Sequence, residues 1–267
     1  MTMSQFGRHA NYDQIAQTYD RRYERNEYGG VEQALRQFIG DRPGLRILEI
    51  GCGTGHWLNV LQTSENYITG LDFSSEMLHR AQTMAPQIDL IRGRVERLPW
   101  SAHSFDRVFC INAIHHFSDK AAFLAQARRV LRPGGKLLTV GLDPHSGIDQ
   151  WHVYEYFEES LEIDRQRYPS SDRLREWMHE AGFENCITQE VEHWIYRIPA
   201  REILEQGRLD KAATSQLSVL TDEEYQQGIQ RIHTDIQRAE EKGEILFLTA
   251  DLRLYRTTAC VEEYTYG

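Results

Sequence analysis

Arg46-Ile47-Leu48-Glu49-Ile50-Gly51-Cys52-Gly53-Thr54-Gly55 decides the reading of this chain of 267 residues. A mostly apolar run passes directly into three glycines at alternate positions, and a helical pattern resumes at His56. Glycines at such a turn let the backbone approach a ligand closely, and the helix that follows offers unpaired N–H groups. The next apolar run, Tyr67-Ile68-Thr69-Gly70-Leu71-Asp72, ends in a carboxylate placed to accept hydrogen bonds from both hydroxyls of a ribose. Asp72 lies 17 residues past Gly55, near the spacing of about 20 that nucleotide-binding units use. A nucleoside-bearing ligand fits this pairing of turn and acid. The glycine order discriminates further: dinucleotide sites read G-x-G-x-x-G, whereas this turn reads G-x-G-x-G with His56 where the last small residue would stand, which weakens a nicotinamide reading.

Outward from the turn, short apolar runs at 45–50, 67–72, 88–92, 106–112 and 136–142 alternate with helical stretches near 55–62, 74–84 and 119–131. That alternation signals β-α-β units around a parallel sheet. Arg132-Pro133-Gly134-Gly135 predicts a sharp reversal after the last of these helices. Upstream, Tyr12, Ile15, Ala16 and Tyr19 fall at helical spacing, predicting a short amphipathic helix, and a second helix over 31–39 stops near Gly40 and Pro43. Downstream of 143 the alternation lapses into an aromatic-rich segment with Trp151, His152, Tyr154, Tyr156 and Phe157, expected to lie over the carboxyl edge of the sheet. A helix over 171–181 closes at Gly182, and a sixth strand covers 186–194. Residues 199–243 read as helical, with a capping box at Thr221-Asp222-Glu223-Glu224, Ile229, Ile232 and Ile236 on one face, and Gly243 at the end. The run 245–260 is β-branched and aromatic enough for a long seventh strand.

Composition narrows the function classes. A formal charge of −10 opposes the phosphate backbone of nucleic acid, whose binders neutralise phosphates with Lys and Arg. Cys52, Cys110, Cys186 and Cys260 form no C-x-x-C pair, which predicts free buried thiols. None of the eleven histidines falls in a metal-binding spacing such as H-E-x-x-H, so no metal is expected. No window approaches the run of about 18 apolar residues that a spanning helix needs, and the first residues lack a signal layout. A cytoplasmic protein without a membrane partner is expected, as monomer or homodimer, with 199–243 as a candidate dimer surface.

Four blocks in order resemble the class I S-adenosylmethionine-dependent methyltransferases, in the small-molecule branch that includes quinone-biosynthesis and sugar O-methyltransferases. They are Ile47-Leu48-Glu49-Ile50-Gly51-Cys52-Gly53-Thr54-Gly55; Gly70-Leu71-Asp72-Phe73-Ser74-Ser75-Glu76-Met77-Leu78; Leu98-Pro99-Trp100 through Phe105-Asp106-Arg107-Val108; and Val130-Leu131-Arg132-Pro133-Gly134-Gly135-Lys136-Leu137. The resemblance is specific over 45–142 and looser elsewhere. It implies a Rossmann-like, doubly wound α/β sheet of seven strands, mostly parallel with an antiparallel last strand, plus helical lid insertions at the N-terminus and in the C-terminal half. The expected organisation is a single domain over 1–267: a helical cap at 1–44, a cofactor-binding core at 45–142, insertions for the acceptor at 143–170 and 199–243, and a last strand and tail at 244–267. The cofactor implied is S-adenosyl-L-methionine. Gly51, Cys52, Gly53 and Gly55 would line its methionine and ribose part, Asp72 hold the ribose, and Phe73 and Met77 sandwich the adenine. The resemblance further implies that Asn112 lies beside the methionyl end and that Tyr19 closes over it. Arg94 stands where relatives often carry an acid for the adenine amino group, so Glu96 or the backbone of Val95 is expected to substitute. Asn112 is followed by Ala113-Ile114-His115-His116 rather than by two prolines, which argues against nucleobase amino groups as substrates.

Methyl transfer from a sulfonium is an in-line displacement whose main requirement is alignment at about 3–3.5 Å in a site emptied of water. A hydroxyl nucleophile also profits from a base of near-neutral pKa. His115 and His116 follow the fourth strand, at the edge where doubly wound sheets bind ligands, and His116 is favoured by the resemblance. Asp143, ending the fifth strand, is the candidate to orient an imidazole or touch the acceptor. His145, His152, Tyr154 and Tyr156 either shape an acceptor pocket or seal the core. The expectation is therefore methyl transfer to a small-molecule acceptor, at oxygen before nitrogen or carbon. A nicotinamide-dependent oxidoreductase and a cofactor-binding partner protein without turnover are the alternatives.

Overall fold

In the computed structural model the described residues are 19–25, 27–62 and 65–263. The helix expected around Tyr12, Ile15 and Ala16 lies outside them; Tyr19 is at their edge. Helices α1 (Arg21–Arg25) and α2 (Gly29–Ile39) lead into β1 (Arg46–Ile50). On α2, Val31, Ala34, Leu35, Phe38 and Ile39 are buried, the i, i+3, i+4, i+7 set that gives a helix one apolar stripe. Each large side chain of that stripe contributes about 1.5–3 kcal/mol by leaving water.

The core alternates α3 (His56–Leu61), β2 (Tyr67–Asp72), α4 (Ser75–Met84), β3 (Asp89–Arg92), β4 (Phe105–Ile111), α5 (Lys120–Val130) and β5 (Leu131–Gly141). Strands β1 to β5 pair in parallel in the order β3-β2-β1-β4-β5. β5 begins earlier than expected. The reversal read at Arg132-Pro133-Gly134-Gly135 is absorbed as an irregularity inside the strand, with Phe105 opposite Leu131 and Arg107 opposite Lys136.

Beyond β5 come β6 (Gln150–Trp151), α6 (His152–Tyr156), α7 (Glu159–Arg167) and α8 (Ser171–Glu180). β7 (Glu184–Pro199), α9 (Ala200–Glu205), α10 (Ser215–Ser218), α11 (Asp222–Glu241) and β8 (Phe247–Cys260) complete the described chain. β8 runs antiparallel to β5 through Tyr255–Cys260, to β7 along nearly its whole length, and to β6 at Ala250 and Asp251. The sheet thus has eight strands rather than seven. The extra one, β6, is two residues long, too short for an alternating pattern to reveal. β7 is longer than expected because its second half, although half-exposed and polar in places, pairs with β8 far past the end of β5.

Two apolar clusters cover the two faces of the sheet, one around Leu48, Val108, Phe123 and Leu137, the other around Leu35, Ile47, Trp57, Phe109 and Leu138. A third belongs to the insertions: Val153, Tyr156 and Phe157 pack with Ile203, Leu217, Ile232, Ile236 and Leu248. The capping box read at Thr221 and Glu224 opens α11. At Gly228 of that helix a Cβ would lie 2.3 Å from the Phe157 ring, so this close crossing admits only glycine.

Candidate active site

The turn after β1 takes the geometry its glycines allow. Gly51 and Gly55 have φ of +73° and +83°, and an added Cβ would meet Ala113 Cβ at 2.6 Å and Ala81 Cβ at 3.1 Å, respectively. Conformation and packing therefore demand the same residue. At Gly53 a Cβ would meet only the Tyr19 ring, at 3.6 Å, which leaves that backbone open toward the space above. The N–H groups of Gly51 and Cys52 donate to the Leu71 carbonyl at 2.8 and 3.1 Å, fastening the turn to the end of β2. Asp72 is the next residue. Its Oδ2 accepts from Gly53 N at 2.8 Å and its Oδ1 from Ser74 N at 2.9 Å, so the carboxylate is held at the rim by both neighbours.

Above this rim lies a cavity of about 510 Å³ whose lining includes Tyr19, Gly51, Gly53, Asp72, Phe73, Met77, Val95, Glu96, Asn112 and His116. Phe73 is 56% exposed and Met77 1%, an outer and a buried apolar wall. Arg94 does not stand empty in the place of an acid: its guanidinium sits 4.5 Å from the centroid of the Phe73 ring, a cation–π contact. Glu96 accepts from Ser118 Oγ at 2.6 Å. Cys52 and Gly55 are not in the lining. Cys52 is buried under the turn, its Sγ packed where Gly70 lacks a side chain, and Gly55 turns the chain into α3.

Asn112, at the carboxyl end of β4, has φ +50°, a left-handed conformation that Asn tolerates better than most residues. It is one of two residues, with Tyr19, that line both the first cavity and a second of about 140 Å³. The second is walled by Arg22, His115, Trp151, Tyr168, Trp194 and Tyr196 among others. His115 faces this second space, His116 the first. His115 is 5% exposed; its Nε2 lies 3.1 Å from Tyr168 Oη and 3.5 Å from Ser215 Oγ, and its Nδ1 has no hydrogen-bond partner among the described residues. Burial above all, then the charges of His116, Arg167, Lys120 and Arg22, push its pKa well below the ordinary imidazole range, so the ring is neutral near pH 7. His116 Nδ1 accepts from Arg167 at 3.4 Å.

A buried polar network supports the pair. Asp164 accepts from Tyr154 Oη at 2.8 Å, Gln216 Nε2 at 2.9 Å and Arg167 at 3.2 Å, and Gln216 also donates to Tyr168 Oη at 3.3 Å. Elements α7 and α10, from different insertions, are thereby joined to the histidines after β4. Asp143 is not part of this. It is buried, accepts from the backbone of His145 and Ser171 at 3.1 and 2.8 Å, lines neither cavity, and serves the turn into α8. His145 is likewise drawn away, to the Tyr168 carbonyl, whereas Trp151 and His152 line small cavities and Tyr156 and Phe157 seal the third cluster.

Sequence reasoning passed over four residues here: Glu49, Arg22, Tyr168 and Gln216. Glu49 had a signal, a lone acid in an apolar strand; it is 1% exposed, and burial together with the Asp72 charge raises its pKa well above the carboxylate range. Asp20 ties α1 to the turn by accepting from Thr54 Oγ1 and pairing with Arg80 at 3.3 Å. Another cavity, of about 540 Å³, opens among Arg46, Tyr67, Asp89 and Trp100 at the amino ends of the strands, the end where open α/β sheets do not bind ligands. Among the described residues no group of three His, Cys, Asp or Glu could hold a metal ion, and no helix is long and apolar enough to cross a membrane.

Residues 48–139 match the family model of the methyltransferase domain. The O-methyltransferase rstn1 of Aspergillus nomiae is 32% identical over 162 residues, 57% of this chain and 71% of the relative. The phthiotriol/phenolphthiotriol dimycocerosates methyltransferase of Mycobacterium leprae is 35% identical over 136 residues, 49% of this chain and half of that protein. In fold, phosphoethanolamine N-methyltransferase 2 of Haemonchus contortus, solved with S-adenosyl-L-methionine, superposes with a TM-score of 0.61 at 18% identity, covering 94% of this chain and 57% of that one. The glycine turn, the Asp72 rim and these matches converge: the chain belongs to the S-adenosylmethionine-dependent methyltransferases.

Proposed function

We propose that this methyltransferase methylates a hydroxyl group of a small molecule seated in the second cavity. The observation that carries the reading is the meeting of the two cavities at Asn112 and Tyr19, with a neutral, buried imidazole, His115, on the far side. The cofactor supplies an electrophilic methyl group on sulfur. The residues present fit it: Asp72 offers a fixed carboxylate that would accept from the ribose hydroxyls, the Gly53 backbone is open for close approach, and Phe73 and Met77 would provide two apolar walls for a base. Arg94, stacked on Phe73, leaves the adenine amino group to Glu96 or the Val95 backbone.

His115 rather than His116 is the better placed base, since it borders the acceptor cavity and its ring stays unprotonated at neutral pH. It would take the hydroxyl proton as the oxygen bonds to carbon. Tyr168, Gln216, Asp164 and Arg167 hold that ring in place. In this reading the described residues form one catalytic unit, with 45–142 as the cofactor core and the two insertions as the acceptor wall. A nitrogen acceptor would need no base and would leave His115 without a task. Purified protein given methyl-labelled S-adenosylmethionine and a panel of small phenols and amines is expected to label phenols at oxygen. Labelling confined to amines would overturn the choice of atom.

A further inference from the structure

The walls of the second cavity describe its occupant more closely than the word acceptor does. Besides Tyr19 and His115, four aromatic side chains, Trp151, Tyr168, Trp194 and Tyr196, line a space of about 140 Å³. That is close to the roughly 150 Å³ that accommodates one benzene ring in a protein interior. A further space of about 80 Å³ continues past Trp151 and Tyr196 and is bordered by Arg22 and Arg208. Among the described residues no aspartate or glutamate lines either space, in a chain whose formal charge is −10. The local sign of charge is therefore opposite to that of the molecule.

Arg208 carries most of this argument. It is half-buried, its guanidinium lies 5.2 Å from the centroid of the Tyr196 ring, and it has no ion-pair partner among the described residues. A guanidinium held against an aromatic face and lacking a counter-charge presents its N–H fork to whatever enters, and that fork matches a carboxylate. At the opposite end the cavity reaches Asn112, Tyr19 and His115, where the methyl group would be delivered.

Resting on the function proposed above, we infer that the acceptor is a single flat ring carrying both a hydroxyl and a carboxylate. The hydroxyl lies beside His115 and Asn112, the ring between the aromatic walls, and the carboxylate toward Arg208. The methyl carbon leaves sulfur for the hydroxyl oxygen, the hydroxyl proton passes to His115, and the carboxylate takes no part in bond making.

4-Hydroxybenzoate, whose two groups stand at opposite ends of the ring, and its neutral isostere 4-hydroxybenzamide are suitable probes. Each is titrated by calorimetry into protein saturated with S-adenosylhomocysteine, with quenching of Trp151 and Trp194 fluorescence as a second readout. 4-Hydroxybenzoate is expected to bind at least tenfold more tightly than 4-hydroxybenzamide, and Arg208→Gln to remove about tenfold of that preference while leaving S-adenosylhomocysteine affinity unchanged. Equal affinity for the two probes, or a preference that survives in Arg208→Gln, overturns the assignment. The wild-type comparison decides even if the variant does not fold. Failure of both probes on protein that binds S-adenosylhomocysteine normally also refutes the acceptor class and leaves the cofactor site standing; failure of S-adenosylhomocysteine itself would strike the underlying reading instead.

Discussion

Replacing Asp72 by Asn tests the cofactor site with almost no change in side-chain volume. In the wild type both carboxylate oxygens accept backbone N–H groups, Gly53 at 2.8 Å and Ser74 at 2.9 Å, and each retains lone pairs for a ligand. An amide satisfies one of the two N–H groups with its oxygen and turns its own NH₂ toward the other, leaving one donor facing a donor at a cost of about 1–3 kcal/mol. The ligand loses more specifically. Hydrogen bonds to a charged acceptor contribute about 1.5–3 kcal/mol and those to a neutral one about 0.5–1.5, so two ribose hydroxyls together forfeit roughly 2–3 kcal/mol. That corresponds to about a 30- to 150-fold rise in Kd. Calorimetric titration with S-adenosylhomocysteine, run at a temperature where circular dichroism shows the variant folded, measures this directly. A Kd within threefold of wild type would refute the ribose role of Asp72 and the argument built on the turn.

Other outcomes follow from the same geometry. His115→Gln is expected to lower kcat by 100-fold or more, within the range for loss of a general base, whereas His116→Gln lowers it less than tenfold; the reverse order in single-turnover assays would return the base to His116. His115 is kept neutral by burial, so the acid limb of the kcat/KM profile should lie below pH 6.5, and a limb above that value would contradict its role. His152, 4% exposed and with a pKa lowered to about 4 by burial, takes up a proton in the unfolded chain before the folded one. Stability is thus unaffected above pH 6.5 and lost as pH falls from there toward 4. Urea titrations should show wild type losing about 2–3 kcal/mol more than His152→Asn between pH 7 and 4.5, and equal losses would show the ring is not held neutral. Gly228→Ala sets a helix-propensity gain of about 1 kcal/mol against overpacking of about 1–3 kcal/mol at the 2.3 Å approach to Phe157. A net drop in the denaturation midpoint is expected, and a rise would mean that α11 can shift away.

The core was legible because local and tertiary signals agree there. Strands β1 to β4 and helices α3 to α5 begin and end within a residue or two of their apolar runs, and Asp72 and the glycines meet where the spacing placed them. The second cavity was less legible, since its residues come from five elements and the segments between them, scattered between Tyr19 and Leu254, and follow no short spacing. Tyr168 and Gln216 are ordinary in sequence and matter only because α7 and α10 cross above His115. Asp143 misled for the converse reason: an acid at a strand end fits a catalytic role and a turn cap equally, and only the N–H groups of His145 and Ser171 distinguish them.

The paired strands β7 and β8 outrun the parallel sheet and carry Trp194, Tyr196, Leu252 and Leu254 to the second cavity. One ribbon is therefore both foundation beam and overhanging eave, and it cannot swing without unzipping its ladder of hydrogen bonds. Any doorway for the incoming molecule falls to the pieces that are not part of that ribbon, Tyr19 to Tyr23 on one side and 212–216 on the other. Substitutions there should alter how fast acceptors enter and products leave, while substitutions along the ribbon alter which acceptors fit.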